Sequence, residues 1–574
     1  MSAGNFNYTP TKDHSYDAIV IGSGISGGWA AKELCEGGLK TLVVERGKNV
    51  VHLFDYPTAT KDPWDFDHRN VTLPLDVTEE NPIVKRCYAF EESTEHFFVK
   101  DKEHPYIQEK PFDWIRGYQV GGKSLLWARQ TQRWSKYEFE GPLRDKIAEW
   151  PIGYDDLAPW YSHVETFAGI SGNRDGLDTL PDGEFLPPWE MNTVEKVLQK
   201  RIMENYHDRN VIIGRCAHLT QPKDIHLEQG RGQCQARSLC HRGCPYGGYF
   251  SSNSSTLPTA NKTGNLTMLP DSVVHSIIYD EKKGKATGVK VINAHTKEVT
   301  EYYAKIIFVN AATLNTNLIL LNSTSARFPN GLGNDNGLLG KYVAFHNYRG
   351  HVEGMMEGYE DSYYYGRRPT GLVIPNFRNV HKQEMDFLRG YLIFMGASRA
   401  GWEGQTDKPQ IGAAYKESVT EPGPWWVYMG MQGETIPKES NHVYLSKDQK
   451  DEWGMPLLVT SVGYDENDEK LTKDFLQQAA EMLQKAGCKN ISQHDSKQAP
   501  GLDIHEVGGV RMGKDPKTSL LNKWNQLHSC PNVYVTDGAC MTSTGVQNPS
   551  LTFMAITARA ASHAISEFKK GNFS

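Results

Sequence analysis

Two groups of residues in this chain have the types and spacing to do chemistry. The first is His505, set beside glycines in Asp503-Ile-His505-Glu-Val-Gly-Gly509-Val-Arg-Met-Gly513. Imidazole titrates near neutrality, so it can take the proton of a hydroxyl as a hydride leaves the carbon. A lone histidine also serves as a satisfied structural group. The second is Cys234, Cys240 and Cys244, a C-x5-C-x3-C run followed by Pro245. Three thiolates so close can ligate an iron–sulfur cluster. Zinc would need a fourth ligand, with His241 nearest, and a buried loop of small residues fits the same pattern.

Either chemistry needs elements to hold it, and residues 16–47, YDAIVIGSGISGGWAAKELCEGGLKTLVVERG, read as such elements. Ala18-Ile19-Val20-Ile21 is a short β-branched run, the mark of a strand buried on both faces. In the glycine turn that follows, Gly22 makes the tight turn, Gly24 lets a pyrophosphate approach, and Gly27 lets the next helix pack close. That helix carries Trp29, Ala30, Ala31 and Leu34 and ends near Gly37-Gly38; a second strand, Thr41-Leu42-Val43-Val44, then delivers Glu45. A carboxylate there can accept from both hydroxyls of an adenosine ribose and repels a 2′-phosphate, which disfavours NADP. The pyrophosphate of NAD or FAD would lie on the helix N-terminus, where free N–H groups and the macrodipole favour negative charge.

Three further stretches suit the same ligand. In Arg116-Gly-Tyr-Gln-Val-Gly121-Gly122-Lys-Ser124-Leu-Leu-Trp127, paired glycines let backbone lie against a flat ligand while Ser124 offers a hydrogen bond. Val533-Tyr-Val-Thr-Asp537-Gly538 reads as a buried strand ending in a turn. Asn548-Pro549 reads as a helix start, with asparagine able to cap and proline preset at the first helical position; apolar periodicity then runs to about Ile565.

Composition narrows the class. The chain has 574 residues, 39% hydrophobic and 23% charged, enough for two or three domains' worth of core. A net charge of −7 without a basic stripe argues against nucleic acid. The longest apolar stretch, 306–321, is broken by Asn310, Asn315 and Asn317, so no transmembrane segment is expected. The first residues lack the apolar core of a secretion signal, which makes the cytoplasm the default location and turns Asn70, Asn253, Asn265 and Asn322 into chance glycosylation matches. The nine cysteines are an odd number and mostly scattered, which reads as reduced thiols.

The expected class is α/β: a Rossmann-like dinucleotide-binding domain with an inserted substrate domain on a mainly antiparallel sheet. Residues 1–50, 111–135, 225–340 and 500–574 are assigned to the first, and 51–110, 136–224 and 341–499 to the second and its excursions. Strands are expected at Gly390–Phe394 and His442–Leu445, and residues 51–110 as a long irregular excursion.

Taken in order, the GSGISGG turn with Glu45-Arg46-Gly47, the VGGKSLLW segment, the HEVGGVRMG segment and the DGA to NPSLTFMAITAR segment resemble the glucose-methanol-choline (GMC) family of flavin oxidoreductases. The pattern from Trp150 to Tyr161 resembles its sugar-oxidising branch of pyranose oxidases, gluconate dehydrogenases and glucoside 3-dehydrogenases. The resemblance implies FAD rather than NAD, held by Gly22, Gly24, Gly27, Glu45, Arg46, Gly121, Gly122, Ser124, Trp127, Asp537, Gly538 and Asn548. It sets His505 and Asn548 side by side over flavin N5, the imidazole as base and the amide holding the substrate oxygen. The helix beginning at Asn548 would face the flavin's pyrimidine edge. Pyranose oxidases attach flavin through a histidine where this chain has Leu126, so FAD is expected to be noncovalent, which favours a dehydrogenase. The substrate implied is a sugar, glycoside or sugar acid oxidised at a secondary hydroxyl. Trp402, Trp425, Trp426 and Tyr428 could stack on a pyranose ring but read mostly as core, and the polar groups of the 365–371 stretch, Tyr365-Gly-Arg367-Arg368, read as a substrate loop. Multi-subunit relatives imply an iron–sulfur cluster on Cys234, Cys240 and Cys244, a small subunit that exports the folded chain to the periplasm, and a cytochrome or quinone-type acceptor. The same scaffold also hosts oxidases that use dioxygen and lyases in which flavin is a spectator.

Overall fold

The computed structural model describes residues 6–362, 368–399, 411–418 and 420–573. Its largest sheet has eight strands, and its parallel part runs Cys530–Val535, Val299–Val309, Ser15–Ile21 (β1), Thr41–Val44 (β2) and Leu266–Leu269. Alternate side chains of these strands enter two separate cores: Ile19, Ile21, Leu42, Val44, Ile307 and Val309 on one face, Ala18, Val20, Val43, Ile306 and Phe308 on the other. Both faces are covered, which is why the strands read as unbroken apolar runs. An antiparallel hairpin, Ser272–Asp280 and Lys285–Asn293, extends the sheet from Val299–Val309.

Register does most to place the site. Ile21 pairs with both Val44 and Val309, and Val309 with Val535, so the parallel strands end level. The residues that follow them, Gly22, Glu45, Asn310 and Asp537, therefore share the carboxyl edge, where open α/β sheets bind ligands. Helix α1 (Ile25–Glu36) leaves this edge and packs against the carboxyl-terminal helix Ser550–Lys569, with Gly37 beneath Ile565.

A second sheet of seven strands is mostly antiparallel, in the order Lys489–Asp495, Gly350–Met356, Trp425–Glu434, Tyr391–Arg399, Leu372–Ile374 and Ile212–Ile213. The helix Glu466–Lys485, capped by Asp465, buries Leu471, Phe475, Ala479, Met482 and Leu483 against it. Trp425, Val427 and Met429 point to this core, and Trp426 and Tyr428 to the opposite face. The expected strand at residue 442 lies instead in a separate five-stranded sheet, His442–Lys450 between Lys341–Ala344 and Pro456–Ser461. Residues 51–110 hold short helical turns, the helix Leu75–Glu80 and the two-residue strand Ile107–Gln108.

Candidate active site

A cavity of about 1190 Å³ opens at the carboxyl edge of the parallel strands and reaches the polar face of the second sheet. The glycine turn forms one wall. Gly22 has φ +92°, and a Cβ on Gly27 would lie 1.9 Å from the Gly22 carbonyl oxygen, so helix and strand close as the sequence pattern required. A Cβ on Gly24 would meet nothing, because that side of the turn faces the cavity. Glu45 is buried and already employed: Oε2 accepts from Ser23 N–H at 3.0 Å and Ser23 Oγ–H at 2.6 Å, and Oε1 from Gly47 N–H at 2.9 Å. Arg46 lies against Tyr118 and Trp453 and pairs with Asp451 at 3.3 Å.

The second glycine loop packs on the first. Gly122, with φ +50°, brings its Cβ direction within 3.3 Å of Gly24 Cα, and Gly121 at φ +89° lies tightly under Asn253. Ser124 departs from expectation: its hydroxyl donates to the Gly121 carbonyl at 2.6 Å and accepts from Ser252 N–H at 3.0 Å, binding loop to loop although it lines the cavity. Trp127 donates its indole N–H to the Phe250 carbonyl at 3.0 Å. Asp537 accepts from Thr316 Oγ–H at 2.5 Å and Ala539 N–H at 3.0 Å, and burial pushes its carboxyl up to about 6. Gly538 beside it lines the cavity.

His505 and Asn548 meet in the cavity wall, with Nε2 of the imidazole 3.2 Å from Nδ2 of the amide. Asn548 therefore does not cap its helix: Pro549 occupies the N-cap position with no side-chain cap bond, and the helix runs past Ile565 to Lys569. Removal from water, with His346 and Lys123 adding repulsion, holds the His505 imidazolium well below the ordinary histidine range. The ring is thus neutral at physiological pH. Sequence reasoning missed His346, whose Nδ1 lies 3.0 Å from His505 Nδ1, and gave Asp503 no role, although its carboxylate accepts the backbone N–H of both histidines. His346 stands alone in Ala-Phe-His-Asn, and only the fold brings it near.

The polar face of the second sheet closes the far side. Trp426 (40% exposed) and Tyr428 (38% exposed) line the cavity with Tyr348, which corrects their reading as core; Trp425 is buried as expected. Arg368 forms an ion pair with Glu195 there, while Trp402 and residues 365–367 lie outside the described residues.

Ser238 and His241 of the cysteine loop also border the cavity. Cys234 Sγ lies 3.5 Å from His218 Nδ1, and Cys244 Sγ accepts from Gly248 N–H at 3.3 Å. Among the described residues the three thiols are not drawn within 4.8 Å of one another as ligands of a single ion; that spacing occurs at His346, Asp503 and His505. Two buried arginines flank the loop without a carboxylate partner among the described residues. Arg231 bonds the carbonyls of Gly247 and Ala168, its Nη2 has no hydrogen-bond partner among the described residues, and burial lowers its pKa to about 9. Arg129 meets His218 at 3.3 Å.

The cavity fits FAD on its own evidence. Gly24 leaves room at the turn, and Ser26 Oγ, Asn310 Nδ2, Arg46 Nε and Asn548 Oδ1, all on lining residues, are buried without a hydrogen-bond partner among the described residues. Such groups are costly unless a bound molecule satisfies them.

Comparison with known proteins agrees. Residues 16–346 and 437–557 match the two family models described as GMC oxidoreductase. The 2-methyl-1,2-propanediol dehydrogenase of Mycolicibacterium austroafricanum is 28% identical, over 96% of this chain and 95% of its own length. The fructose dehydrogenase large subunit of Gluconobacter japonicus is 24% identical, over 97% and 99%. The crystal structure of pyridoxine 4-oxidase from Mesorbium loti superposes with TM-score 0.59 at 15% identity, covering 95% of this chain and 98% of that one, and so shares the fold.

Proposed function

The chain belongs to the GMC oxidoreductase family, and from that premise we propose that it is an FAD-dependent dehydrogenase oxidising a secondary hydroxyl of a sugar, glycoside or sugar acid to the ketone. The observation that carries the reading is the His505–Asn548 pair in the wall of a cavity shaped for a dinucleotide. Gly22, Gly24, Glu45, Arg46, Gly122 and Asp537 would hold FAD noncovalently, and the bound flavin would supply the hydride acceptor. His505, held neutral, takes the hydroxyl proton at Nε2. In the free site Asn548 donates an amide N–H to that nitrogen; with substrate bound the hydroxyl takes that place, and the amide N–H turns to the substrate oxygen, steadying charge as the proton leaves. Trp426, Tyr428 and Tyr348 offer aromatic faces to the apolar side of a pyranose ring. Leu126 in the cavity wall supports noncovalent flavin, and the names of the two dehydrogenase relatives support a non-oxygen acceptor.

The reading extends to the cysteine loop: Cys234, Cys240 and Cys244 would hold an iron–sulfur cluster beside Arg129 and Arg231, passing electrons to a small subunit and a cytochrome or quinone-type acceptor. An anaerobic panel of sugars watched by flavin absorbance, with products identified by NMR, tests the proposal. Bleaching with a keto sugar formed is expected. Rapid peroxide production in air would move the enzyme to the oxidases, and a sugar panel that never bleaches flavin would end the reading.

A further inference from the structure

Both ring nitrogens of His505 are engaged, and their partners fix where its proton sits. Nδ1 lies 3.0 Å from Nδ1 of His346, and Nε2 lies 3.2 Å from Nδ2 of Asn548. The other nitrogen of His346, Nε2, lies 2.9 Å from the carbonyl oxygen of Gly545. A carbonyl only accepts, so His346 Nε2 carries a hydrogen. A neutral imidazole has one N–H, which leaves His346 Nδ1 a bare lone pair. Burial keeps His346 neutral, pushing its pKa down to about 4 against the pull of the Gly545 and Thr544 carbonyls. In the pair of histidines, His505 Nδ1 is then the donor, and the lone pair of His505 is on Nε2, toward Asn548.

The surroundings hold this arrangement. Gly545 has φ +61°, and a Cβ there would lie 2.9 Å from the Trp134 ring, so its carbonyl direction depends on glycine backbone. Asp503 Oδ2 accepts His346 N–H at 2.9 Å and His505 N–H at 3.2 Å, tying the two chain segments together. The rings stand nearly perpendicular, at 86°. Beyond Asp503, the charged groups nearby are Lys123 and Glu506, 3.5 Å apart.

We infer that His346 is a positioning residue: anchored on the Gly545 carbonyl, it holds His505 in the Nδ1–H tautomer and so presents the Nε2 lone pair to the substrate hydroxyl. The inference rests on the reading of His505 as base. The opposite tautomer would aim an N–H at the hydroxyl and could not take its proton. In the step itself the O–H bond breaks and an Nε2–H bond forms; Nδ1–H stays on His505 and His346 goes on accepting. Because that acceptor is neutral, it orients the base without strengthening it as a carboxylate would.

Long-range proton–nitrogen correlation on flavin-loaded enzyme labelled with 15N-histidine reads the tautomer directly, with His346→Gln used for assignment. His505 as Nδ1–H is expected, and Nε2–H would overturn the inference. Kinetics give a second arm. His346→Gln keeps an acceptor for His505 and a donor for Gly545, so kcat should stay within about threefold. His346→Leu keeps neither, and kcat should fall about 10- to 100-fold, the range seen when the hydrogen-bond partners of metal-ligating imidazoles are removed, with flavin content and KM little changed. Equal losses in both variants, or no loss in the leucine variant, would reduce His346 to packing and overturn the inference. His505→Ala separates the two claims: turnover kept there sinks the base itself, whereas turnover lost there but kept in His346→Leu sinks only the relay.

Discussion

Asn548 Nδ2 stands 3.2 Å from His505 Nε2 although the two residues are 43 positions apart. An amide donor at that nitrogen leaves the imidazole neutral and directional, whereas a carboxylate would favour its charged form. Asn548→Asp should therefore raise the pKa of His505. The acid limb of kcat/KM, expected well below the ordinary histidine value in the parent, should move up by about one unit or more. As pH falls the neutral, proton-accepting form of His505 is lost, so the variant fails first on the acid side. Profiles measured on both enzymes check this, and an unmoved limb would separate the amide from the base.

Stability should follow the buried histidines. The pKa of His346 falls from 6.5 to about 4 on folding, and burial also holds His505 well below its ordinary value. Their contributions are present above 6.5 and lost as pH falls through the folded values. Asp503 works the other way: raised from 3.8 to about 7, its contribution is present below 3.8 and lost as pH rises through about 7. Of these three groups two act against one, so the contribution of this cluster to stability rises with pH between about 4 and 6.5. Melting of the holoenzyme should show that slope, and His346→Gln should flatten it. Equal slopes would contradict the assignment.

The glycine turn separates cofactor contact from folding. Gly24→Ala places a methyl in open space at the cavity, whereas Gly27→Ala drives one to 1.9 Å from the Gly22 carbonyl. The first should fold normally and bind FAD about tenfold more weakly or worse, since it narrows the approach of the pyrophosphate. The second should lose several degrees of melting temperature. Flavin titration and thermal unfolding of both variants measure the contrast.

For the cysteine loop, iron and acid-labile sulfide should accompany flavin in enzyme purified without oxygen. Cys240→Ser should remove the iron and slow transfer to an external acceptor while leaving anaerobic flavin reduction by sugar near the parent rate. Iron absent from the parent preparation would return the loop to a structural role.

Much of this was legible in the sequence because it is local. The run Ala18–Ile21, the glycine turn and Glu45 lie on one strand–turn–helix–strand path, so their spacing alone set their geometry. The helix after Pro549 was equally clear; local spacing gave Asn548 only a capping role, and its place beside His505 came from the family resemblance, because the partner across the cavity lies 43 positions away. His346 reaches the site through strand pairing in a different sheet, and no local pattern marks it. Trp426 and Tyr428 alternate with Trp425 and Val427 on one strand, so one face had to be buried, but only the position of the helix Glu466–Lys485 decides which.

The central claim is that His505 accepts the hydroxyl proton during oxidation. Stopped-flow flavin reduction by an oxidisable sugar without oxygen, run on the parent and on His505→Ala with equal flavin content, tests it most directly. The account predicts that the variant's reduction rate falls about 10²- to 10⁴-fold, the range for loss of a general base, and recovers in part with rising pH as hydroxide takes the proton. A variant that bleaches at the parent rate across the same pH range would contradict it.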